Sequence, residues 1–328
     1  MPKARWYKGN IHTHTTESDG DSSPETVVRW YRRHGYDFLV LSDHNHLTLL
    51  DYSSGKRRFK KPLMIPGEEV SLRLPDSRKS VHLGATGISQ LVEPVAATEV
   101  VPTLQANIDA ILSAGGIACI NHPNFTWAFD HREIRQVTKA SLLEVFNGHP
   151  AVNVYGAPGK FSYEEIWDGV LSAGRPIFGV ATDDAHNFID FIPQVSNPGR
   201  GWVVVEAEES SPEAIVAALA SGAFYASTGV TLRTLDVSEG CISLSVEPHR
   251  DFIYTIRYIG QGGKVLAEVV GAEANYLVRG DEGYVRATVL SSRGSKAWTQ
   301  PVFTSKLDSP FSHPWEEGVR GMRAGEGS

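Results

Sequence analysis

The chain of 328 residues carries 31 Lys and Arg against 38 Asp and Glu, and a net charge of −7 argues against a nucleic-acid surface as its main business. With 41% hydrophobic and 21% charged residues it has the balance of a globular protein, long enough for one large domain or a large and a small one. There is no run of about 18 apolar residues to cross a membrane, no apolar signal core in "MPKARWYKGN", and only Cys119 and Cys241, too few for a disulfide framework, so a reducing cytoplasm is expected.

The first stretch of interest is "GNIHTHTTESDG" (9–20), at the end of a predicted first strand. Residues i and i+2 of a strand share a face, so His12 and His14 project together and suit one ion. Taken alone, H-x-H is equally a polar loop. "SPETVVRWYRRHG" then reads as a helix with Ser23 as N-cap, Pro24 at its first position and a stop at Gly35. Predicted strands follow at "DFLVLSDHN" (37–45), "PLMIPGEEV" (62–70), "SVHLGATGI" (80–88), "GIACINHP" (116–123), "SLLEVFNG" (141–148) and "RPIFGVATDD" (175–184). Their near-continuous apolar runs suit strands buried on both faces. "TLQANIDAILSAGG", "SYEEIWDGVLSAG" and "SPEAIVAALASG" read as intervening helices that end on glycine. This βα repetition predicts a parallel barrel or sheet with helices outside.

After about residue 228 the pattern changes to short, often alternating runs. "TLRTLDVS", "CISLSVEP", "FIYTIRYIG", "KVLAEVV", "YVRATVLSS" and "AWTQPVFT" predict an antiparallel module of six strands, a small sandwich. The last stretch is rich in Gly, Ser and Pro and is expected to be a tail, either mobile or pinned by Trp315. The expected division is a barrel over 1–228, the β module over 229–305 and the tail over 306–328.

Ten of the 12 histidines precede residue 187, which puts the chemistry in the first part. The predicted strands end in metal-competent residues: His12 and His14, Asp43 and His44, Glu68 and Glu69, His122, then Asp183, Asp184 and His186, while the fourth strand carries His82. In a parallel barrel such ends gather on one rim. So many imidazoles and carboxylates in one place repel or demand desolvation, and cations resolve both. Mixed His and carboxylate ligation suits Zn²⁺, Mn²⁺ or Fe²⁺ and disfavours Ca²⁺.

The motifs "HTHT…SDG", "DFLVLSDHN", "PGEEV", "VHLGATG", "INHP" and "TDDAH" together resemble the PHP (polymerase and histidinol phosphatase) family of metal-dependent hydrolases. "GRGWVVVEAEE", "SGAFYASTG" and "YVRATVLSSRGSKAWTQP" resemble its CehA/McbA-like branch, which pairs the barrel with a β module. The resemblance implies a distorted (β/α)7 barrel and two or three divalent metal ions, zinc, manganese or iron. It implies His12, His14, Glu69 and Asp184 around the first metal, Glu69, His82 and His122 around the second with Glu69 bridging, and Asp19, His44 and His186 around a third. Glu69 is chosen over Glu68 because the family's acid stands two after the glycine, here Gly67; Asp184 is chosen over Asp183 because it stands two before His186.

Other residues read less sharply. Arg200 in "NPGRGWVVV" is either an anion-binding guanidinium or a surface arginine. His149 is either the proton donor to a leaving group or a solvated loop histidine. His34 and His46 fit no ligand position, and Tyr225 is expected to pack. The expected function is a metal-dependent phosphoesterase acting on a small, anionic phosphorylated metabolite, with Asp184 and His149 in catalysis and Arg200 binding substrate. The alternatives are a carbamate, ester or amide hydrolase on the same cluster, a non-catalytic metal-stabilised binding module, and, last, a proofreading nuclease.

Overall fold

The computed structural model describes residues 4–50, 62–75, 77–238 and 240–304. The expected tail, with Trp315, lies outside the described residues. The first part runs β1 (Arg5–Asn10), α1 (Pro24–Arg33), β2 (Phe38–Leu39), β3 (Leu63–Met64), β4 (Gly67–Arg73), β5 (Ser80–Thr86), α2 (Val100–Ser113), β6 (Ile117–Ile120), α3 (His131–Ile134), β7 (Leu142–Asn147), α4 (Tyr163–Ser172), β8 (Phe178–Thr182), β9 (Trp202–Ala207), α5 (Pro212–Ser221) and β10 (Phe224–Ser227). The second part runs β11 (Leu232–Val237), β12 (Cys241–Val246), β13 (Tyr254–Gly260), β14 (Lys264–Val270), β15 (Glu273–Leu277), β16 (Tyr284–Ser291), β17 (Lys296–Thr299) and β18 (Val302–Phe303).

The helices begin and end where local chemistry dictates. Ser162 and Glu165 form a capping box on α4, and Ser211 accepts from Ala214 N at the start of α5. Ser23 flanks α1 without capping its backbone; its hydroxyl donates to Thr26 Oγ1 at 3.3 Å instead. Gly222 closes α5 at φ +77°, a conformation that side chains with a Cβ rarely adopt. No described helix is long and apolar enough to cross a membrane.

The strands are mixed in direction rather than parallel throughout. β1–β2–β3 and β6–β7–β8 are parallel, but β4–β5 and β5–β6 are antiparallel, as is β9 with β1 and β10. The chain between β4 and β5 is too short for a crossover helix, so it turns back as a hairpin. Hydrogen bonding divides the expected seven-stranded barrel between two sheets. One is five-stranded, β4-β5-β6-β7-β8; the other is ten-stranded, β14-β13-β16-β17-β10-β9-β1-β2-β3 with β18 on β16. Among the described residues no closed ladder runs around them.

The two sheets nevertheless meet. Ile11, Phe38, Val40, Cys119, Leu142, Val180 and Val203 pack as one core between them. Isolated parallel bridges, Thr13–Ala185 and His44–Glu69, join the segments that leave this core. Their bonds are His14 N to Ala185 O (2.9 Å), Asp184 N to His12 O (2.9 Å), Asn45 N to Glu69 O (2.9 Å) and Glu69 N to Asp43 O (3.2 Å). Every one of these pairs contains a residue singled out as a ligand.

In the second part, eight strands replace the six expected. β15 went unseen because it is mostly exposed, with Tyr276 alone buried, and Pro301 separates β17 from β18. β11-β12-β15 form their own sheet. Ile242, Leu244 and Val246 from it share a core with Ile256, Tyr258, Ala287 and Val289 of the long sheet. The expected boundary near residue 228 falls between β10 and β11, and the β10–β17 ladder, Tyr225 opposite Thr299, crosses it.

Candidate metal centre

The cluster is built by short segments that leave the strands at the seam. His12 and His14 follow β1 and are 2% and 0% exposed, with ring centroids 5.3 Å apart. Thr13 between them points the other way and donates to Ala185 O at 3.2 Å. Glu69 lies on β4 and is fully buried. His82 on β5 pairs with Ser71, so it shares a sheet face with Glu69 as a diagonal cross-strand neighbour. His44 follows β2 and bridges to Glu69. His122 and Asp184 follow β6 and β8 with φ of +21° and +48°, left-handed conformations that cost a residue with a Cβ of order 1 kcal/mol or more.

All nine residues expected as ligands fall into four groups whose candidate ligand atoms lie within 4.8 Å of one another. These are His12–His14–Glu69, His12–His122–Asp184, His44–Glu69–His82 and His14–Asp19–His44–His186. The groups interleave more than the three expected sets. Glu69 Oε1 stands 3.3 Å from His12 Nε2, 3.0 Å from His122 Nε2 and 3.4 Å from His82 Nδ1. Its Oε2 stands 2.9 Å from His44 Nδ1 and 3.6 Å from His14 Nε2. Asp184 Oδ1 lies 3.2 and 3.3 Å from the Nε2 atoms of His12 and His14. Asp19, half exposed, meets His186 Nε2 at 3.3 Å and His44 Nε2 at 3.5 Å.

Four of these atoms, His12 Nε2, His14 Nε2, Glu69 Oε2 and His82 Nδ1, are buried without a hydrogen-bond partner. A buried polar atom left unpaired costs about 1–3 kcal/mol, and four together within one cluster are explained by a cation. The residues present therefore fit a divalent metal.

The electrostatics agree. Burial alone would raise the carboxyl of Glu69, but His12, His82 and His44 hold it well below its usual range. Asp184 is likewise held well below by His12, His14 and His186 against the effect of burial. Burial opposes charge on His44, yet Glu69 and Asp19 push it up to about 10. His14, buried and beside His186, drops to about 4. Burial also opposes charge on His12, yet Asp184, Glu69 and Glu144 hold it well above its ordinary value, so the carboxylates of the cluster draw positive charge into a buried site.

Residues outside the expected ligand sets support the ligands. Asp43 accepts from Thr15 N (2.7 Å), Thr15 Oγ1 (2.8 Å), Ser18 Oγ (2.8 Å) and Thr48 Oγ1, which fixes the turn carrying Asp19. Asn121 donates to Glu69 Oε1 at 2.8 Å and Asn147 to Asp184 Oδ2 at 3.1 Å. Glu144, fully buried, accepts from His12 Nδ1 at 2.7 Å. Its signal was a lone acid inside the apolar run "SLLEVFNG".

The acidic neighbours turn away from the cluster. Asp183 accepts from Tyr31 OH (2.8 Å), Arg200 N (2.6 Å) and Gly201 N (2.9 Å). Glu68 accepts from Val92 N at 2.6 Å, and burial pushes its carboxyl up to about 7.

His149 stands beside the cluster, its ring 5.4 Å from that of His186. Ala151 N donates to its Nδ1 at 3.1 Å, so the neutral ring carries its proton on Nε2. Burial lowers its pKa, with Asp184 opposing. Arg200 donates to Gly148 O at 2.8 Å, and to Ile192 O and Asn197 Oδ1 at 3.2 Å each, which ties the His149 loop to the one after His186. Ile189, Phe191 and Ile192 of that second loop are 68%, 54% and 48% exposed. His34 stacks on Trp30, and Tyr225 packs in the β-module core and accepts from Leu232 N.

No family model and no curated protein matches the sequence. Among solved structures, the chain is similar to a two-domain protein from Bacteroides vulgatus said to contain a predicted PHP-like metal-dependent phosphoesterase, with TM-score 0.49 and 16% identity over 93% of this chain and 88% of that one. It is similar to a Bifidobacterium adolescentis protein carrying the provisional name metal-dependent phosphoesterase, with TM-score 0.39 and 15% identity over 60% of this chain and 94% of the other. A third is an amidohydrolase from Chromobacterium violaceum, holding sulfate and no metal, with TM-score 0.37 and 15% identity over 58% and 93% of the two chains. All three TM-scores lie below 0.5, so the functional reading has to come from the geometry of this chain.

Proposed function

We propose that this chain is a metal-dependent hydrolase of the PHP family, of its CehA/McbA-like branch, and that it acts as a phosphoesterase on a small anionic metabolite. The observation that carries the reading is a cluster of nine imidazole and carboxylate residues in which four buried ligand atoms, on His12, His14, Glu69 and His82, face other ligand atoms at 2.9–3.6 Å without making a hydrogen bond. A distorted barrel over residues 1–228 bearing the site, followed by a β module, is part of the same proposal.

His12, His14, Glu69 and Asp184 would hold a first ion, Glu69, His82 and His122 a second, and Asp19, His44 and His186 a third. Bound zinc, manganese or iron would supply Lewis acidity to an ester oxygen and bring the ionisation of water near neutral pH. The chain's own residues do the rest. Glu69 faces one set of imidazoles with Oε1 and another with Oε2, which suits a bridging carboxylate. Asp184, kept ionised by its histidines, would help hold an ion and is the proposed hydrogen-bond acceptor for the attacking water. His149 offers Nε2–H to the leaving group, and Arg200, bound to the carbonyl just before His149, is the proposed contact for an anionic group.

A second reading, hydrolysis of a carbamate, ester or amide, is favoured by two features. Arg200 has donors engaged by Gly148, Ile192 and Asn197, and the loop beyond His186 exposes Ile189, Phe191 and Ile192, which suit an apolar, neutral substrate. The test is element analysis of chelator-free protein beside a hydrolysis panel of phosphomonoesters, phosphodiesters, aryl esters and carbamates. Two or three equivalents of a transition metal and fastest turnover of a phosphoester are expected. Less than about half an equivalent of any divalent metal removes the metal reading. Metal without turnover of any substrate points to a binding module, and a carbamate turned over fastest points to the carbonyl hydrolase.

A further inference from the structure

We propose that Glu144 is the positioning residue of the centre: it fixes the tautomer of His12, so that Nε2 and not Nδ1 is presented to a divalent cation. This rests on the reading of the cluster as a metal centre.

Glu144 lies on β7, is 0% exposed and belongs to none of the candidate ligand groups. Its Oε1 meets His12 Nδ1 at 2.7 Å and accepts from Thr182 Oγ1. Its Oε2 accepts from the backbone N–H of His122 at 2.7 Å and from Asn147 Nδ2 at 2.9 Å. An ionised carboxylate only accepts, so the proton in the first bond belongs to His12 Nδ1. In the neutral ring Nε2 is then the lone-pair nitrogen. That atom stands 3.3 Å from Glu69 Oε1 and 3.2 Å from Asp184 Oδ1, and it has no hydrogen-bond partner. Two carboxylates facing Nε2 call for a cation at that atom, a proton in the metal-free ring and a divalent ion in its place.

The same carboxylate reaches two further ligand residues. It holds the amide of His122, whose φ of +21° needs a firm anchor. Through Asn147, which also donates to Asp184 Oδ2 at 3.1 Å, it reaches the strand end after β8. One buried acid therefore braces His12, His122 and Asp184 together. Partners of this kind set ring orientation and ligand basicity, and their loss costs metal affinity about 10–100-fold.

The experiment compares Zn²⁺ affinity of the full chain, wild type against Glu144→Gln, by chelator competition, with unfolding in excess EDTA as the check on folding. All four partners of Glu144 are donors, so either flip of the glutamine amide turns its NH₂ toward two of them. A Zn²⁺ Kd raised about 10–100-fold in folded E144Q supports the assignment. Equal Kd values for E144Q and a Zn²⁺-binding wild type overturn it and leave the metal reading standing. A wild type that binds no Zn²⁺ overturns both.

Thr182→Val removes the one donor to Glu144 that belongs to no ligand residue and does not lead to one, and it should change Kd by less than about 3-fold. A loss as large as that of E144Q would mean that any damage around Glu144 weakens the site, and the assignment fails. Should E144Q not fold, long-range ¹H–¹⁵N spectra of histidine-labelled, Zn²⁺-loaded wild type decide. His12 protonated at Nδ1 and ligated through Nε2 supports the assignment, and ligation through Nδ1 overturns it.

Discussion

Arg286 and Asp168 form a buried two-point ion pair across the molecule, with Nε to Oδ1 and Nη2 to Oδ2 both at 2.7 Å. Arg286 is on β16 and 1% exposed; Asp168 is on α4 and 8% exposed. Tyr284 OH donates to the same Oδ1 at 2.7 Å, and the guanidinium lies 4.7 Å from the ring centroid of Trp167. Removing Asp168 leaves the buried guanidinium with only the more distant charge of Glu164 Oε2, 3.9 Å from Nη2, so Asp168→Ala should cost about 3 kcal/mol in a urea or guanidinium melt. Replacing both partners by apolar residues of similar volume should recover most of that loss. A single-variant cost within about 0.5 kcal/mol of zero would show the pair to be solvated and weak.

Asp183 and Asp184 should separate by role. Asp184→Asn is expected to leave a folded protein with turnover near background, because the acid that faces His12, His14 and His122 is lost. Asp183→Asn can keep its oxygen on Arg200 N and Gly201 N but turns its N–H₂ toward the Tyr31 hydroxyl, which has to stop donating there, and should cost about 1–3 kcal/mol of stability with a much smaller loss of rate. Kinetics and melts of both variants check this; a dead, fully stable Asp183 variant would contradict it.

Glu282 should make the β module acid-sensitive. Burial tends to raise its carboxyl, but the amides of Arg279 and Gly280, both at 2.8 Å, and Tyr276 OH, at 3.0 Å, hold it at about 2 against an ordinary 4.5. In the window between those values the unfolded chain binds more protons, so stability rises with pH there. The contribution is complete above 4.5 and is lost as pH falls toward 2. After allowance for solvent screening it amounts to about 1–2 kcal/mol. Glu282→Gln should melt earlier near pH 7 and lose less on acidification than wild type. Parallel pH profiles for the two proteins would contradict the assignment.

Arg200→Ala tests the nature of the substrate. On an aryl phosphate kcat/KM should fall by roughly 2–4 kcal/mol, and on an aryl carbamate with the same leaving group it should hardly change. Equal losses on both would mean that Arg200 acts by holding the His149 loop through Gly148 O. Small equal effects, with the carbamate turned over faster by wild type, would favour the carbonyl hydrolase.

Eight of the nine clustered residues were legible because each stands past an apolar run or inside one, and buried strands advertise themselves by composition; Asp19, in the polar stretch "HTHTTESDG", was carried by the motif alone. Strand direction was not legible. A run such as "SVHLGATGI" reads the same whichever way it enters the sheet, and only the short link after Arg73 makes β5 antiparallel. Partnership over distance was also hidden. Glu144 meets His12 from 132 residues away, and Arg286 meets Asp168 from 118 away. A lone charge inside "SLLEVFNG" or "YVRATVLSS" marks a residue that the fold has to pair, but nothing local names the partner. Glu69 over Glu68 and Asp184 over Asp183 rested on motif register; in the fold, Glu68 and Asp183 are taken up by backbone and tyrosine donors.

The bridges Thr13–Ala185 and His44–Glu69 give the centre a mechanical side. They are where the two sheets touch by main-chain bonds at the cluster, and carboxylates crowd the same line. An ion there would act as a rivet: its ligands come from both sheets, so holding it means holding the sheets together. Stripping it should let the joint breathe while the apolar packing beneath stays shut. The amides of His14, Asn45, Glu69 and Asp184, which span the joint, would then exchange with deuterium faster in chelator, whereas those of β16 and β17 would keep their wild-type pace. In such a protein the loss of metal is felt first as a loosened hinge line and only later as a lower melting point.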